Sequence, residues 1–192
     1  MRSDKSVAVD LPVPVPARIR LLVFDVDGTL RRAKKLGHVA PRDEDDWELL
    51  PRTKEVLSMI DGERSRQLAL ATHQPDIGRG NVSEPVARRL LDEMLVAAIG
   101  RSDVIVELCT KAKSECAKPA PMLLQRAMVR AGAEPDTTWM IGNRSDRKAA
   151  KRAGVTFVEA RTFFGRRRPP WRLLAAAAIA GIAVSMARRR TG

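Results

Sequence analysis

Ile19-Arg-Leu-Leu-Val-Phe24, followed at once by Asp25-Val-Asp-Gly-Thr29, decides the fold of this 192-residue chain. A β-branched and aliphatic run that stops at an Asp- and Gly-rich turn is the pattern of a buried strand. Working outward, residues 52–60 place Val56, Leu57 and Ile60 at helical spacing, residues 67–71 form a second short strand, and residues 76–80 a Gly-containing loop. Ser83 fits an N-cap, with Glu84 and Pro85 in the first turn of a helix to about Ile99 whose apolar face carries Val86, Leu90, Leu91, Met94 and Leu95. Residues 104–108, 138–141 and 155–158 read as further strands. Helices over 121–131 and 146–153 are closed by Gly132 and Gly154. Strands alternating with helices predict an α/β fold with a doubly wound parallel sheet, whose sites form at the carboxyl ends of strands.

Three segments follow from this reading. Residues 1–17 form a Pro-rich arm, because Leu11-Pro-Val-Pro-Val-Pro16 favours extended backbone. Residues 18–165 form the domain, and residues 166–192 an Arg-flanked apolar helix. The net charge of +12 is uneven, since eight arginines and no acid lie from Arg161 onward. An aromatic content of 4% supplies little material for stacking bases, so general nucleic-acid binding is not expected. Cys109 and Cys116 are the two cysteines, too few for a disulfide-stapled scaffold, and a reduced compartment is the expectation. No apolar run of leader length follows Met1, so a cytoplasmic location is expected.

Each strand end carries polar side chains suited to phosphate or metal. Asp25 and Asp27 follow the first strand, Thr72 the second, Lys118 the loop after the third, and Asn143 with Asp146 the fourth. Two carboxylates separated by one residue allow one to act as nucleophile and the other as general acid, then base. Read as turn chemistry alone, the same pair would only cap the loop. A hydroxyl and an ammonium can hold phosphate oxygens, and a distant acid can complete a Mg²⁺ site.

These residues resemble the haloacid-dehalogenase (HAD) superfamily of phosphohydrolases. Phe24-Asp-Val-Asp-Gly-Thr-Leu30 is similar to its first motif, Thr72 to its second, Lys118-Pro119 to its third, and Gly142-Asn-Arg-Ser-Asp146 to a degraded fourth. Within it, residues 19–160 resemble the heptose bisphosphate and histidinol phosphatase group, through Thr72-His-Gln-Pro-Asp-Ile-Gly-Arg-Gly80 and Lys118-Pro-Ala-Pro-Met-Leu-Leu124. The resemblance implies a Rossmann-like fold and a Mg²⁺-dependent phosphomonoester hydrolase acting on a small phosphorylated metabolite such as a sugar phosphate. It makes Asp25 the nucleophile of an aspartyl-phosphate, Asp27 the acid and base, and Thr72 and Lys118 the phosphate holders. Asp25, the Asp27 carbonyl and Asp146, with Asn143 beside them, become the metal ligands. His73 and Arg79 become candidate substrate contacts. Arg31, Arg32, Lys34 and Lys35 follow the nucleophile loop, either steering anions or forming a solvated basic face.

The sequence departs from that pattern in three places. Asn143 stands where the family has its leading Asp and lies one residue too close to Asp146, which removes a charge from the metal site. Cys109 and Cys116 alone replace a Cys/His zinc loop, and two thiolates cannot close a tetrahedral site. Ala117 replaces an arginine that commonly precedes the lysine, weakening any transfer of heptose bisphosphate specificity. The alternatives are therefore a binding module that has lost its metal and a nucleic-acid end phosphatase. Asp25 to Thr72 and Thr72 to Lys118 are each about 45 residues, mostly occupied by helices and strands, so no large cap domain is expected and the site should be open.

Residues 171–187 are mainly apolar between arginine clusters. As a helix, Leu173 to Ala187 would extend about 22 Å, short of a bilayer core of about 30 Å. Arg172 can snorkel and Trp171 sit at an interface, so association with an anionic membrane through this tail is the expectation.

Overall fold

The structure is a computed structural model that describes residues 11–166. In chain order its elements begin with β1 (Leu21–Phe24), β2 (Arg31–Ala33), β3 (Trp47–Leu49), α1 (Thr53–Gly62) and β4 (Gln67–His73). They continue with α2 (Pro75–Gly78), α3 (Glu84–Ile99), β5 (Ile105–Cys109), α4 (Met122–Ala131), β6 (Thr138–Gly142), α5 (Arg147–Ala153), β7 (Thr156–Glu159) and α6 (Ala160–Phe163). Five strands make one parallel sheet in the order β5-β4-β1-β6-β7, and β2 pairs antiparallel with β3 in a separate hairpin.

The sheet forms because β1 is apolar on both faces. Leu22 and Phe24 point to one side, where Leu68, Leu70 and Ile141 meet Val56 and Leu57 of α1 and Leu91 and Met94 of α3. Leu21 and Val23 point to the other, where Ala69 and Met140 meet Leu123 and Ala127 of α4 and Ala149 and Ala150 of α5. With both faces covered, a central parallel strand has no place for polar residues. The first polar side chains after Phe24 fall where β1 leaves the sheet, at its carboxyl end.

Residues 76–80 are not a plain loop, because Pro75 at the first helical position starts α2. The two cysteines are joined as a Cys109–Cys116 disulfide, so the reduced pair expected from their small number is not what the fold contains. Part of the Pro-rich arm is packed, since Leu11, Val13 and Val15 lie against the core and Arg66 donates to the Val15 carbonyl at 3.1 Å. The apolar tail over 171–187 lies outside the described residues, as do residues 1–10 of the arm. Among the described residues no helix is long and apolar enough to cross a membrane. No second domain is inserted among them either: only the β2–β3 hairpin and α1 lie between β1 and β4.

Candidate active site

Three adjacent strands, β4, β1 and β6, deliver most of the site, and the connection after β5 adds Lys118. The backbone of Asp25 continues the β1–β6 ladder by donating to the Ile141 carbonyl at 2.9 Å, which sets its side chain at the sheet's carboxyl edge. Gly28 then turns the chain at φ +78°, a left-handed conformation that glycine adopts without strain, and an added Cβ would press on the Asn143 amide at 3.3 Å. After β6, Gly142 has no room for any side chain, because a Cβ would collide with the Asp146 carboxylate.

Asp25 is held by three donors. Lys118 Nζ donates to Oδ1 at 2.7 Å, and Thr29 Oγ1 and Asn143 Nδ2 donate to Oδ2 at 2.9 and 3.4 Å. Lys118 Nζ also lies 2.7 Å from Asp146 Oδ1, so one ammonium bridges two carboxylates. Burial lowers the Lys118 ammonium, but the charges of Asp25 and Asp146 outweigh it and hold its pKa above the ordinary lysine value. The carboxylates must share that cation. Asp146 is accordingly pushed up, first by burial and then by Asp25, although Asn143 N–H donates to its Oδ2 at 2.7 Å.

Asp27 faces a different set. Arg31 Nε donates to its Oδ1 at 3.0 Å and Gln74 Nε2 to its Oδ2 at 2.5 Å. Burial pushes its carboxyl up, and the charge of Asp25 adds to this against the lowering by Arg31. Two carboxylates one residue apart thus have different surroundings: one shared with a lysine at the rim, the other paired with Arg31 and raised by burial. That division suits one nucleophile and one proton carrier. Thr72, 1% exposed, receives a 3.0 Å bond from the same Gln74 Nε2, which fixes its Oγ1 beside Asp27.

The structure therefore brings Asp25, Lys118, Asn143 and Asp146 into one bonded network and Asp27 and Thr72, through Gln74, into a second one that adjoins it along the β1 turn. It does not tie His73 or Arg79 into either by any hydrogen bond or ion pair. His73 Nε2 pairs with the Lys111 carbonyl at 3.0 Å, and Arg79 pairs with Asp76 at 3.1 Å. Arg31 is corrected outright. It is 1% exposed, not part of a solvated or steering basic face, and its Nη1 donates to the Leu90 carbonyl of α3 at 2.7 Å. Gln74 is the site residue that sequence reasoning passed over. Its signal was its place two residues beyond Thr72, which keeps both on one face of an extended chain.

The donors present fit a hard divalent cation. Among the described residues no three His, Cys, Asp or Glu side chains converge, but Mg²⁺ is ordinarily held by one or two carboxylates with waters and substrate phosphate. Asp25 and Asp146, in mutual repulsion, are two carboxylates that would suit such an ion.

Comparison with known families agrees with this geometry. The family described as polynucleotide kinase 3 phosphatase matches residues 20–140, and one described as HAD-hydrolase-like matches residues 115–183. The chain belongs to the first of these families and is an HAD-type phosphatase. No curated protein matches it. Among solved structures it is similar to the D,D-heptose 1,7-bisphosphate phosphatase of B. bronchiseptica, complexed with magnesium and phosphate. That match has a TM-score of 0.64 and 20% identity over 79% of this chain and 89% of the other. An HAD-like phosphatase from Mesorhizobium loti gives 0.57 and 21%, over 74% and 72%. At these identities the structures show a shared fold, and the phosphomonoester hydrolase class comes from the family.

Proposed function

We propose that this HAD-type phosphatase is a Mg²⁺-dependent phosphomonoester hydrolase working through an aspartyl-phosphate on Asp25. The observation that carries the reading is the three-donor hold on the Asp25 carboxylate by Lys118, Thr29 and Asn143, with Asp27 placed apart from it against Arg31 and Gln74. An Asp25 oxygen attacks phosphorus and the bond to the leaving oxygen breaks, while Asp27 gives that oxygen its proton. Water then attacks the phosphorus, Asp27 takes the water's proton, and the Asp25–phosphorus bond breaks to release phosphate and both carboxylates. Lys118 and Thr72 hold phosphate oxygens through charge and hydroxyl. Asp25, Asp146, the Asp27 carbonyl and the Asn143 side-chain oxygen would hold Mg²⁺, whose charge offsets repulsion between carboxylate and phosphate. Asn143 supplies an amide where the family has an acid, so metal affinity is expected to be weak.

The substrate proposed is a small phosphorylated metabolite such as a sugar phosphate, supported by the fold shared with a heptose bisphosphate phosphatase. The terminal phosphate of a polynucleotide is the second reading, favoured by the family matched over residues 20–140. A cytoplasmic location with tail-mediated attachment to anionic membrane stays part of the proposal.

Hydrolysis of an aryl phosphate by the full chain, with and without Mg²⁺ and beside Asp25→Asn, tests it. Metal-dependent turnover abolished in Asp25→Asn is expected. Equal turnover in that variant would refute the mechanism, and a folded protein inactive at high Mg²⁺ would favour a metal-free binding module.

A further inference from the structure

Asn143 stands in two places at once. Its amide donates to Asp25, and it also lines a crevice of about 230 Å³ with Gly28, Pro51, Ala160, Arg161 and Arg166. The crevice is thus separated from the nucleophile by one side chain. Among the described residues its lining includes two arginines and no acidic residue.

Arg166 is fixed there. Its Nε donates to the Pro51 carbonyl, Nη1 to the Thr29 carbonyl and Nη2 to Thr53 Oγ1, each at 2.8 Å, and it stacks on Phe164 at 4.2 Å. All three acceptors are neutral, so its charge is oriented but not cancelled, and two of its five N–H groups remain. Burial and then the nearby Arg161 charge bring Arg166 down to about 10, still cationic at neutral pH. Arg161 is exposed at the start of α6. A cavity of about 470 Å³ at the amino ends of β4 and β5 differs in kind. Its Arg66 and Arg101 are ion-paired, to Glu63 and to Asp61 and Asp103.

Among the described residues neither Arg161 nor Arg166 is ion-paired, and two like charges held together beside a phosphate-handling site call for an anion. We infer that this crevice is a subsite for a second phosphate group of the substrate, bound by Arg161 and Arg166 while the scissile phosphate lies at Asp25. The inference rests on the hydrolase reading for the scissile group. It deepens that reading, because preferred substrates then carry two phosphates, either on a small molecule or along a nucleotide chain.

The test uses the full chain carrying Asp25→Asn, which leaves bound esters intact, and measures binding by calorimetry in Mg²⁺ buffer. Two ligand pairs are compared: fructose 1,6-bisphosphate with fructose 6-phosphate, and thymidine 3′,5′-bisphosphate with thymidine 3′-phosphate. In at least one pair the bisphosphate should bind about 10-fold more tightly, as one added charge-assisted contact provides. Adding Arg161→Ala should remove most of that ratio and Arg161→Lys should restore part of it, with melting temperatures confirming that both variants fold. The pair that responds identifies the small-molecule or nucleotide source. A ratio unaffected by Arg161→Ala in both pairs, or no preference for either bisphosphate, overturns the subsite. Turnover of the two monophosphates by the chain with Asp25 intact is measured separately. Its absence overturns the hydrolase reading and leaves the binding ratio to judge the crevice.

Discussion

Replacing Arg31 with methionine keeps most of the apolar stem's bulk and deletes the guanidinium that joins Asp27 to α3. Two bonds go with it, one of 3.0 Å to Asp27 and one of 2.7 Å to the Leu90 carbonyl. The side chains of the pair are 1% and 11% exposed, so water screens little of their interaction. A hydrogen bond between charged partners contributes about 1.5–3 kcal/mol and a bond to a neutral carbonyl about 1 kcal/mol. Removing one partner of a buried pair destabilises by about 3–5 kcal/mol, because the other charge is left without compensation. Arg31→Met should therefore lower stability by about 3–4 kcal/mol. For a domain of this size that is a melting point lower by roughly 6–16 °C. Urea unfolding followed by circular dichroism measures the first quantity, and thermal melting the second. The double variant Asp27→Asn/Arg31→Met removes the stranded carboxylate while Gln74 can still donate to the amide oxygen, so it should be more stable than Arg31→Met alone. A loss below about 1 kcal/mol in the single variant, or a double variant no more stable than the single one, would refute the claim that this pair ties the first motif to α3.

Three further outcomes are expected. Asp46, buried in the β2–β3 loop, is raised by burial but held below the usual carboxylate range by His38 and the amides of Lys35 and Arg42. Such a group contributes stability that is fully present above its unfolded value of about 3.9 and is lost as pH falls through its folded value. The stability gap between the wild-type chain and Asp46→Asn should thus be open at pH 6 and close below about pH 4; a gap independent of pH contradicts the assignment. Replacing Cys109 and Cys116 together by Ser opens a loop whose ends are 7 residues apart. By the chain-entropy argument this should lower stability in urea by about 2 kcal/mol, whereas no loss would mean that the loop is equally ordered without the bond. Asn143→Asp restores a charged oxygen beside Asp25, so the Mg²⁺ concentration for half-maximal aryl phosphate hydrolysis should fall about 10-fold; an unchanged requirement would remove residue 143 from the metal site.

Much of this fold was legible because a central strand buried on both faces must be a continuous apolar run, as β1 is, and the other strands of its sheet stand between helical patterns. The rim residues were legible for a related reason. Asp25, Thr72 and Asn143 stand where apolar runs stop, Lys118 and Asp146 follow in the connections after β5 and β6, and the fold gathers them. The β2–β3 hairpin was not legible. Arg31-Arg-Ala33 is only three residues long, and its first side chain is a charge whose burial depends on Asp27 and the Leu90 carbonyl, 59 residues away. The disulfide was hidden for the opposite reason. Counting cysteines says how many bonds can form, not whether a loop folds back far enough to bring Cys116 onto Cys109. The Arg161–Arg166 crevice depends on α6 returning beside the Gly28 turn, a meeting of distant segments that no local pattern encodes.

The strand order has a consequence for synthesis. β1 leaves the ribosome before the other four strands of its sheet, yet it sits in the middle of that sheet, and β6, its neighbour on one side, follows more than a hundred residues later. At a translation rate of about 5–20 residues per second, one edge of β1 has no sheet partner for on the order of 5–20 s. Among the described strands Leu21-Leu-Val-Phe24 thus has much to gain from a chaperone, and the site around the neighbouring nucleophile cannot be assembled until β6 and Asp146 have been made.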